Sequence, residues 1–185
     1  MKVIFLDHDG VICLQNNWGS RYKKRKKSPF KIEGDQKLPV DLRFDNFDKK
    51  SVKVLNRILE KTGAEIVVSS DWKLHASLEE LGQYYEAQGI DKKPIGLTPR
   101  LEDIDEYSSS LYAWKGWLEK ARTLEIKNYL ETNSEIENWV AVDDLDMGVD
   151  YLGKDGLENF VICRRSLEGI KQLGVEDTII ECLNS

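Results

Sequence analysis

Four short runs in this chain are apolar along nearly their whole length: "KVIFL" (2–6), "AEIVV" (64–68), "WVAV" (139–142) and "FVIC" (160–163). A strand that faces water on one side alternates polar and apolar residues; a strand covered on both sides reads as these do. Helical periods separate them. Val52, Leu55, Ile58 and Leu59 recur at helical spacing from Ser51, and Gly63 closes that segment. Leu74, Leu78, Leu81 and Tyr85 mark a second helix ended by Gly89, and Leu118, Ile126, Tyr129 and Leu130 line a third. A last helix is expected from near Ser166 to Gly174, and "PIGLTP" is a candidate for one further short strand. Buried strands alternating with helices predict an α/β fold, a doubly wound parallel sheet covered on both faces.

At 185 residues the chain is long enough for one well-filled core, and we expect a single domain over residues 1–185. Residues 13–47 lack a sustained period and contain Gly19, Pro29, Gly34 and Pro39, which predicts a loop insertion or small cap outside the core. Inside it lies "RYKKRKK": Arg21, Lys23, Lys24, Arg25, Lys26 and Lys27, with no acid among them. The chain as a whole carries −6, so the remainder is more acidic still. An acidic body with one concentrated basic segment points to a polyanionic partner, RNA or DNA ends among them; a solvated loop without a partner is the equal alternative. No apolar stretch approaches the roughly 20 residues of a membrane span, and "MKVIFLDHDG" is acidic too early for a signal peptide. A cytoplasmic location is expected. Cys13, Cys163 and Cys182 lack metal-ligand spacing and are expected as reduced thiols.

In a doubly wound sheet, ligands gather beyond the carboxyl ends of the strands. Asp7, Asp9 and Gly10 follow the first run; Ser69, Ser70, Asp71, Trp72 and Lys73 follow the second; Asp143, Asp144 and Asp146 follow the third. Two carboxylates one residue apart repel each other unless a cation or a proton is shared between them. Asp7 and Asp143 offer hard oxygens suited to Mg²⁺. With its charge partly neutralised, Asp7 could attack a phosphoryl group, and Asp9 could protonate the leaving oxygen and later activate water. Gly10 would let the backbone turn tightly beside them.

These stretches carry a resemblance. "FLDHDGV", "IVVSS" and "VAVDD" resemble the first, second and fourth motifs of the haloacid-dehalogenase-like (HAD) phosphatase superfamily, in order, from residue 2 to about 165. The resemblance implies Asp7 as nucleophile and Asp9 as general acid/base. It implies Mg²⁺ held by Asp7, the main-chain carbonyl of Asp9, and Asp143, with Asp144 in support, and phosphoryl oxygens bound by Ser69 and Ser70. Its third motif is a cation ahead of the last acidic strand. Arg122 is the first choice because it shares a helical face with Ile126 and Tyr129 and should point inward; Lys73 and Lys120 are rivals. The second aspartate favours phosphate-ester hydrolysis over dehalogenation. More narrowly, "VVSSDWK", "LTPR" and "ARTLEIKNYL" ahead of "VAVDDLD" are similar to HAD domains of bacterial and viral RNA-repair systems, from which the chain departs by its insertion "YSSSLYAWKGWLEK".

The resulting expectation is a Mg²⁺-dependent phosphatase acting on a nucleic-acid terminal phosphate. The alternatives are a nucleotide monophosphatase and a nucleic-acid-binding module that kept the fold and lost turnover. His8, one of two histidines, should project away from Asp7 and Asp9 by strand alternation. Trp72 reads as core, and Tyr107, Tyr112, Trp114 and Trp117 as either core cover or base-stacking surface.

Overall fold

The computed structural model describes residues 1–31, 37–103 and 116–185. Its strands are β1 (Lys2–Leu6), β2 (Glu65–Val68), β3 (Gly96–Leu97), β4 (Asn138–Asp143) and β5 (Phe160–Ile162). Its helices are α1 (Ser20–Lys27), α2 (Val40–Arg43), α3 (Lys49–Thr62), α4 (Leu78–Gln88), α5 (Trp117–Thr132), α6 (Val149–Leu152) and α7 (Val175–Asn184). All strands pair in parallel, in the order β3-β2-β1-β4-β5. The chain winds outward from β1 through β2 to β3, then returns to the other side of β1 as β4. The switch point therefore falls between β1 and β4, where a doubly wound sheet opens its ligand crevice.

Side chains alternate across β1, and that alternation defines two cores. Ile4 and Leu6 join Leu55, Ile58, Tyr84, Tyr85, Ile179 and Leu183 from α3, α4 and α7 on one face. Val3 and Phe5 join Ile126, Ala141 and Met147 on the other, where α5 packs. Both faces of β1 are covered from Val3 onward, which is why the run has no polar position after Lys2. The expected strand within "PIGLTP" is β3, whose Gly96 and Leu97 pair with Val67 and Val68.

Three expectations are corrected. No α-helix forms between Ser166 and Gly174; a single 3₁₀ turn, Gly169–Lys171, lies there. Gly174, in the left-handed region at φ 85°, precedes a helix instead of ending one: α7 runs on with Glu176 and Asp177 in its first turn. The second amphipathic segment does not start at Leu74, which is 45% exposed as the last residue of a 3₁₀ turn, Asp71–Leu74. Helix α4 starts at Leu78 behind a capping box, in which Ser77 and Glu80 each bond the other's backbone N–H.

The basic segment is helix, not loop. Six of the eight residues of α1 are cations and none is buried, so no apolar period announces it. Bonds to the body of the protein hold it in place. The Arg21 amide donates to Asp45 Oδ1 (2.7 Å), Lys24 Nζ to Phe44 O (2.9 Å) and Tyr84 Oη (3.3 Å), and Arg25 Nε to Leu42 O (2.7 Å).

Candidate active site

Register brings the strand ends level. Leu6 pairs with Val68 on one side and Val142 on the other, so Asp7, Ser69 and Asp143 leave the sheet side by side. The backbone extends this ladder by one step: Asp7 N donates to Val142 O (3.0 Å) and Ser69 N to Leu6 O (3.0 Å). Asp7, Ser69, Ser70 and Asp143 are all buried.

Arg122, on α5, closes this group from above. Its Nη1 donates to Asp7 Oδ1 (2.7 Å), Asp143 Oδ2 (3.0 Å) and Ser69 O (3.2 Å), and its Nη2 to Asp71 Oδ1 (2.8 Å). The two rival cations are elsewhere. Lys73 Nζ is buried against Glu125 (2.5 Å), Thr98 and Pro99 O, and Lys120 reaches Asp155 at 3.2 Å. Asp143 Oδ1 accepts from the Leu145 amide (2.8 Å), which fixes the rotamer that presents Oδ2 to Arg122.

Carboxylate oxygens of Asp7, Asp143 and Asp144 lie within 4.8 Å of one another. Gly10 makes room for the third. It sits at φ +78°, and a Cβ there would collide with the carboxylate of Asp144. Any other residue would meet both strain and a clash. The donor set is all hard oxygen, two members are buried and one is exposed at the rim, so a cation that keeps several of its waters fits it. That is the chemistry of Mg²⁺.

The electrostatics agree. Burial, then the neighbouring Asp143, push the Asp7 carboxyl well above its ordinary range despite Arg122. Burial raises Asp143 to about 6, against the pull of Arg122. Asp144 also rises to about 6, through desolvation and then the charge of Asp7. Burial alone would lower the Arg122 guanidinium, but Asp7 and Asp143 hold it above its usual value. Carboxyls raised in the fold stabilise it at low pH, and that contribution is lost as pH climbs through about 6. A dication needs the ionised forms. Mg²⁺ should therefore raise the melting temperature clearly at pH 7.5 and much less at pH 5. Thermal melts with EDTA or Mg²⁺ at the two pH values check this; equal shifts would remove these carboxyls from metal binding.

Around this cluster, Ser69 Oγ is buried and has no hydrogen-bond partner. Ser70 Oγ accepts from Trp72 N (3.5 Å) as the cap of the 3₁₀ turn, and its hydroxyl also helps to lower Asp7. Asp9 stands apart from the three-carboxylate cluster. Its Oδ2 accepts from Trp72 Nε1 at 2.8 Å, and the indole is fixed by stacking on Phe44 (4.2 Å between centroids) and Phe47 (5.4 Å). Trp72 is core, as expected, but it also holds Asp9, and Asp71 supports Arg122. Sequence reasoning misses both roles, although both residues sit in the run after β2. His8 is fully buried among Phe47, Trp72 and Tyr85, with Nε2 2.6 Å from Tyr85 Oη. Desolvation, then Arg122, lower it to about 3, so it stays neutral.

Of the basic residues of α1, Lys23, Lys26 and Lys27 are exposed. Arg21 and Arg25 flank a cavity that Asp9 also lines. Tyr107, Tyr112 and Trp114 lie outside the described residues, and Trp117 packs beside Leu101 and Ala121. Cys13, Cys163 and Cys182 are unpaired thiols. Among the described residues no helix is long and apolar enough to cross a membrane.

A five-stranded parallel sheet carrying this cluster at its switch point is the architecture of a HAD-type α/β domain. The family of HAD domains in Swiss Army Knife RNA repair proteins matches residues 3–172, and the chain belongs to it. No curated protein and no solved structure matches the chain.

Proposed function

We propose that the chain is a Mg²⁺-dependent phosphatase that removes a terminal phosphate from a nucleic acid. The observation that carries this reading is the single Nη1 of Arg122 shared by Asp7 and Asp143, beside the orphaned hydroxyl of Ser69. A buried hydroxyl without a partner costs about 1–3 kcal/mol; a phosphoryl oxygen accepting from it would remove that cost.

Asp7 attacks phosphorus, the bond from phosphorus to the leaving oxygen breaks, and Asp9 delivers its proton to that oxygen. Asp9, now ionised, takes a proton from water as the water attacks the aspartyl phosphate, and inorganic phosphate departs with Asp7 regenerated. Arg122 and the Ser69 hydroxyl bind the phosphoryl oxygens throughout, and Trp72 keeps Asp9 on the leaving-group side. Mg²⁺, held by Asp7, Asp143 and Asp144 together with the Asp9 main-chain carbonyl, would neutralise the charge between nucleophile and phosphate. Turnover of p-nitrophenyl phosphate that requires Mg²⁺ and stops with EDTA tests the reaction. Oligonucleotides phosphorylated at the 3′ or the 5′ end then test the substrate class. Absence of Mg²⁺-dependent turnover on all of them overturns the reading.

Helix α1 supplies the outer polymer contact in this reading through Lys23, Lys26 and Lys27, its exposed cations; Lys24 is held by Phe44 O and Tyr84 Oη, and Arg21 and Arg25 line the cavity beside Asp9. Replacing the three exposed lysines by Gln should weaken single-strand binding and reduce the log–log salt slope by about 0.7 for each phosphate that is no longer neutralised. A titration series in salt that gives the same slope for both proteins removes α1 from the polymer interface.

A further inference from the structure

Asp9 opens onto a cavity of about 580 Å³, within the range of about 300–1,000 Å³ usual for small-molecule sites. Its lining carries four cations, Arg21, Arg25, Lys37 and Arg43, against two carboxylates, Asp9 and Asp71. Two of these charges are already answered. Arg43 makes a forked ion pair with Glu80, and Asp71 accepts from Arg122. Among the described residues, no carboxylate lies within ion-pair distance of Arg25 or Lys37, and Arg21 comes only to 4.0 Å from Asp45. Three cations thus line a concave space that Asp9 also lines.

The chemistry of Asp9 says what enters that space. In the proposed reaction it protonates the leaving oxygen, so the group on the other side of the scissile bond lies where Asp9 faces. We propose that this cavity is the leaving-group subsite and that it takes a nucleotide bearing a second phosphate, bound by Arg21, Arg25 and Lys37. The scissile phosphomonoester then sits at Asp7 while a neighbouring phosphate sits among the three cations, and the departing alcohol remains an anion after the proton transfer. A nucleoside monophosphate has a neutral leaving group and leaves those cations unanswered. This inference rests on the phosphatase reading and narrows its substrate to phosphomonoesters adjacent to another phosphate, the arrangement at the end of a polymer.

A nucleoside 3′,5′-bisphosphate is the smallest probe with that arrangement. The wild-type chain with Mg²⁺ should turn it over with a kcat/KM at least about tenfold above both the 3′- and the 5′-monophosphate, the least that one charge-assisted phosphate contact supplies. In the double variant Arg21→Gln, Lys37→Gln that ratio should fall to near one. These two are chosen because Arg25 also holds Leu42 O; far-ultraviolet circular dichroism and a thermal melt check that the variant is folded. Because the readout is a ratio within one protein, a general loss of activity does not imitate it. A wild-type chain that hydrolyses p-nitrophenyl phosphate but does not prefer the bisphosphate overturns the subsite and leaves the phosphatase reading standing. So does a folded double variant that keeps the preference. A wild-type chain that turns over none of these substrates overturns both.

Discussion

Asp7→Asn is expected to abolish turnover and, in EDTA at pH 7.5, to raise the melting temperature. The two effects have one origin. Asp7 is a buried carboxyl whose ionisation the fold resists, first by desolvation and then through Asp143. At pH 7.5 an ionised Asp7 therefore costs stability, by the same sign that makes the acid form favourable at low pH. The amide has nearly the same shape, can still accept from Arg122 Nη1, and carries no charge to be desolvated. Arg122 keeps Asp143 and Asp71 as partners, so it is not stranded. With Mg²⁺ the order should reverse, because the wild-type chain offers the dication an anionic carboxylate where the variant offers only a neutral amide oxygen. For turnover, an amide cannot form the acyl phosphate, and loss of a nucleophile typically costs about 10⁴-fold or more. Steady-state rates on p-nitrophenyl phosphate, with melts in both conditions, test the pair of effects. Residual activity above about one hundredth of wild type would take the nucleophile role from Asp7.

How far such a site can be read from sequence depends on which part is one-dimensional. Strands β1, β2 and β4 are buried on both faces, so each appears as an apolar run, and the acids that follow inherit their place from the parallel register. The inward direction of Arg122 is also legible, since it shares a helical face with Ile126, buried in the core beneath α5, and Tyr129, packed against that core. Other parts are relations between distant segments. Nothing local says that the Trp72 indole meets Asp9, 63 residues away, or that the bonds from Lys24 and Arg25 to the segment before α3 hold an eight-residue helix with no apolar face. Two of the corrected boundaries do carry local signals. Ser77 and Glu80 have capping-box spacing, which places the start of α4 after Leu74. Val175, Ile179 and Leu183 recur at i, i+4 and i+8 behind Gly174. A glycine in the left-handed region can stand on either side of a helix, so Gly174 by itself does not say which side it marks.

Arg122→Met should be the most destabilising single change at the site, and its cost should depend on pH and on Mg²⁺ in a defined way. Arg122 is the cation within ion-pair reach of both Asp7 and Asp143, and all three side chains are nearly inaccessible to water. Removing one partner of a buried pair typically costs about 3–5 kcal/mol because the other charge is left unpaired. Here two carboxyls lose their partner, yet each can escape by taking up a proton. Without the guanidinium their values in the fold rise further above the unfolded ones, so the loss is small at pH 5 and grows as pH passes through about 6 and beyond. A dication can stand in for the missing charge but not for the donor that Arg122 aims at the phosphoryl group. Mg²⁺ should thus restore much of the melting temperature at pH 8 while turnover stays about 10²- to 10³-fold down, the usual cost of losing one donor to developing charge. Arg122→Lys separates the two roles. A single ammonium keeps a charge between Asp7 and Asp143 but cannot also reach Asp71 with a second fork, so it should recover more stability than rate. A variant Arg122→Met that melts like wild type at pH 8 in EDTA would show that the carboxyls are not ionised there, and the charge balance proposed for the site would fail.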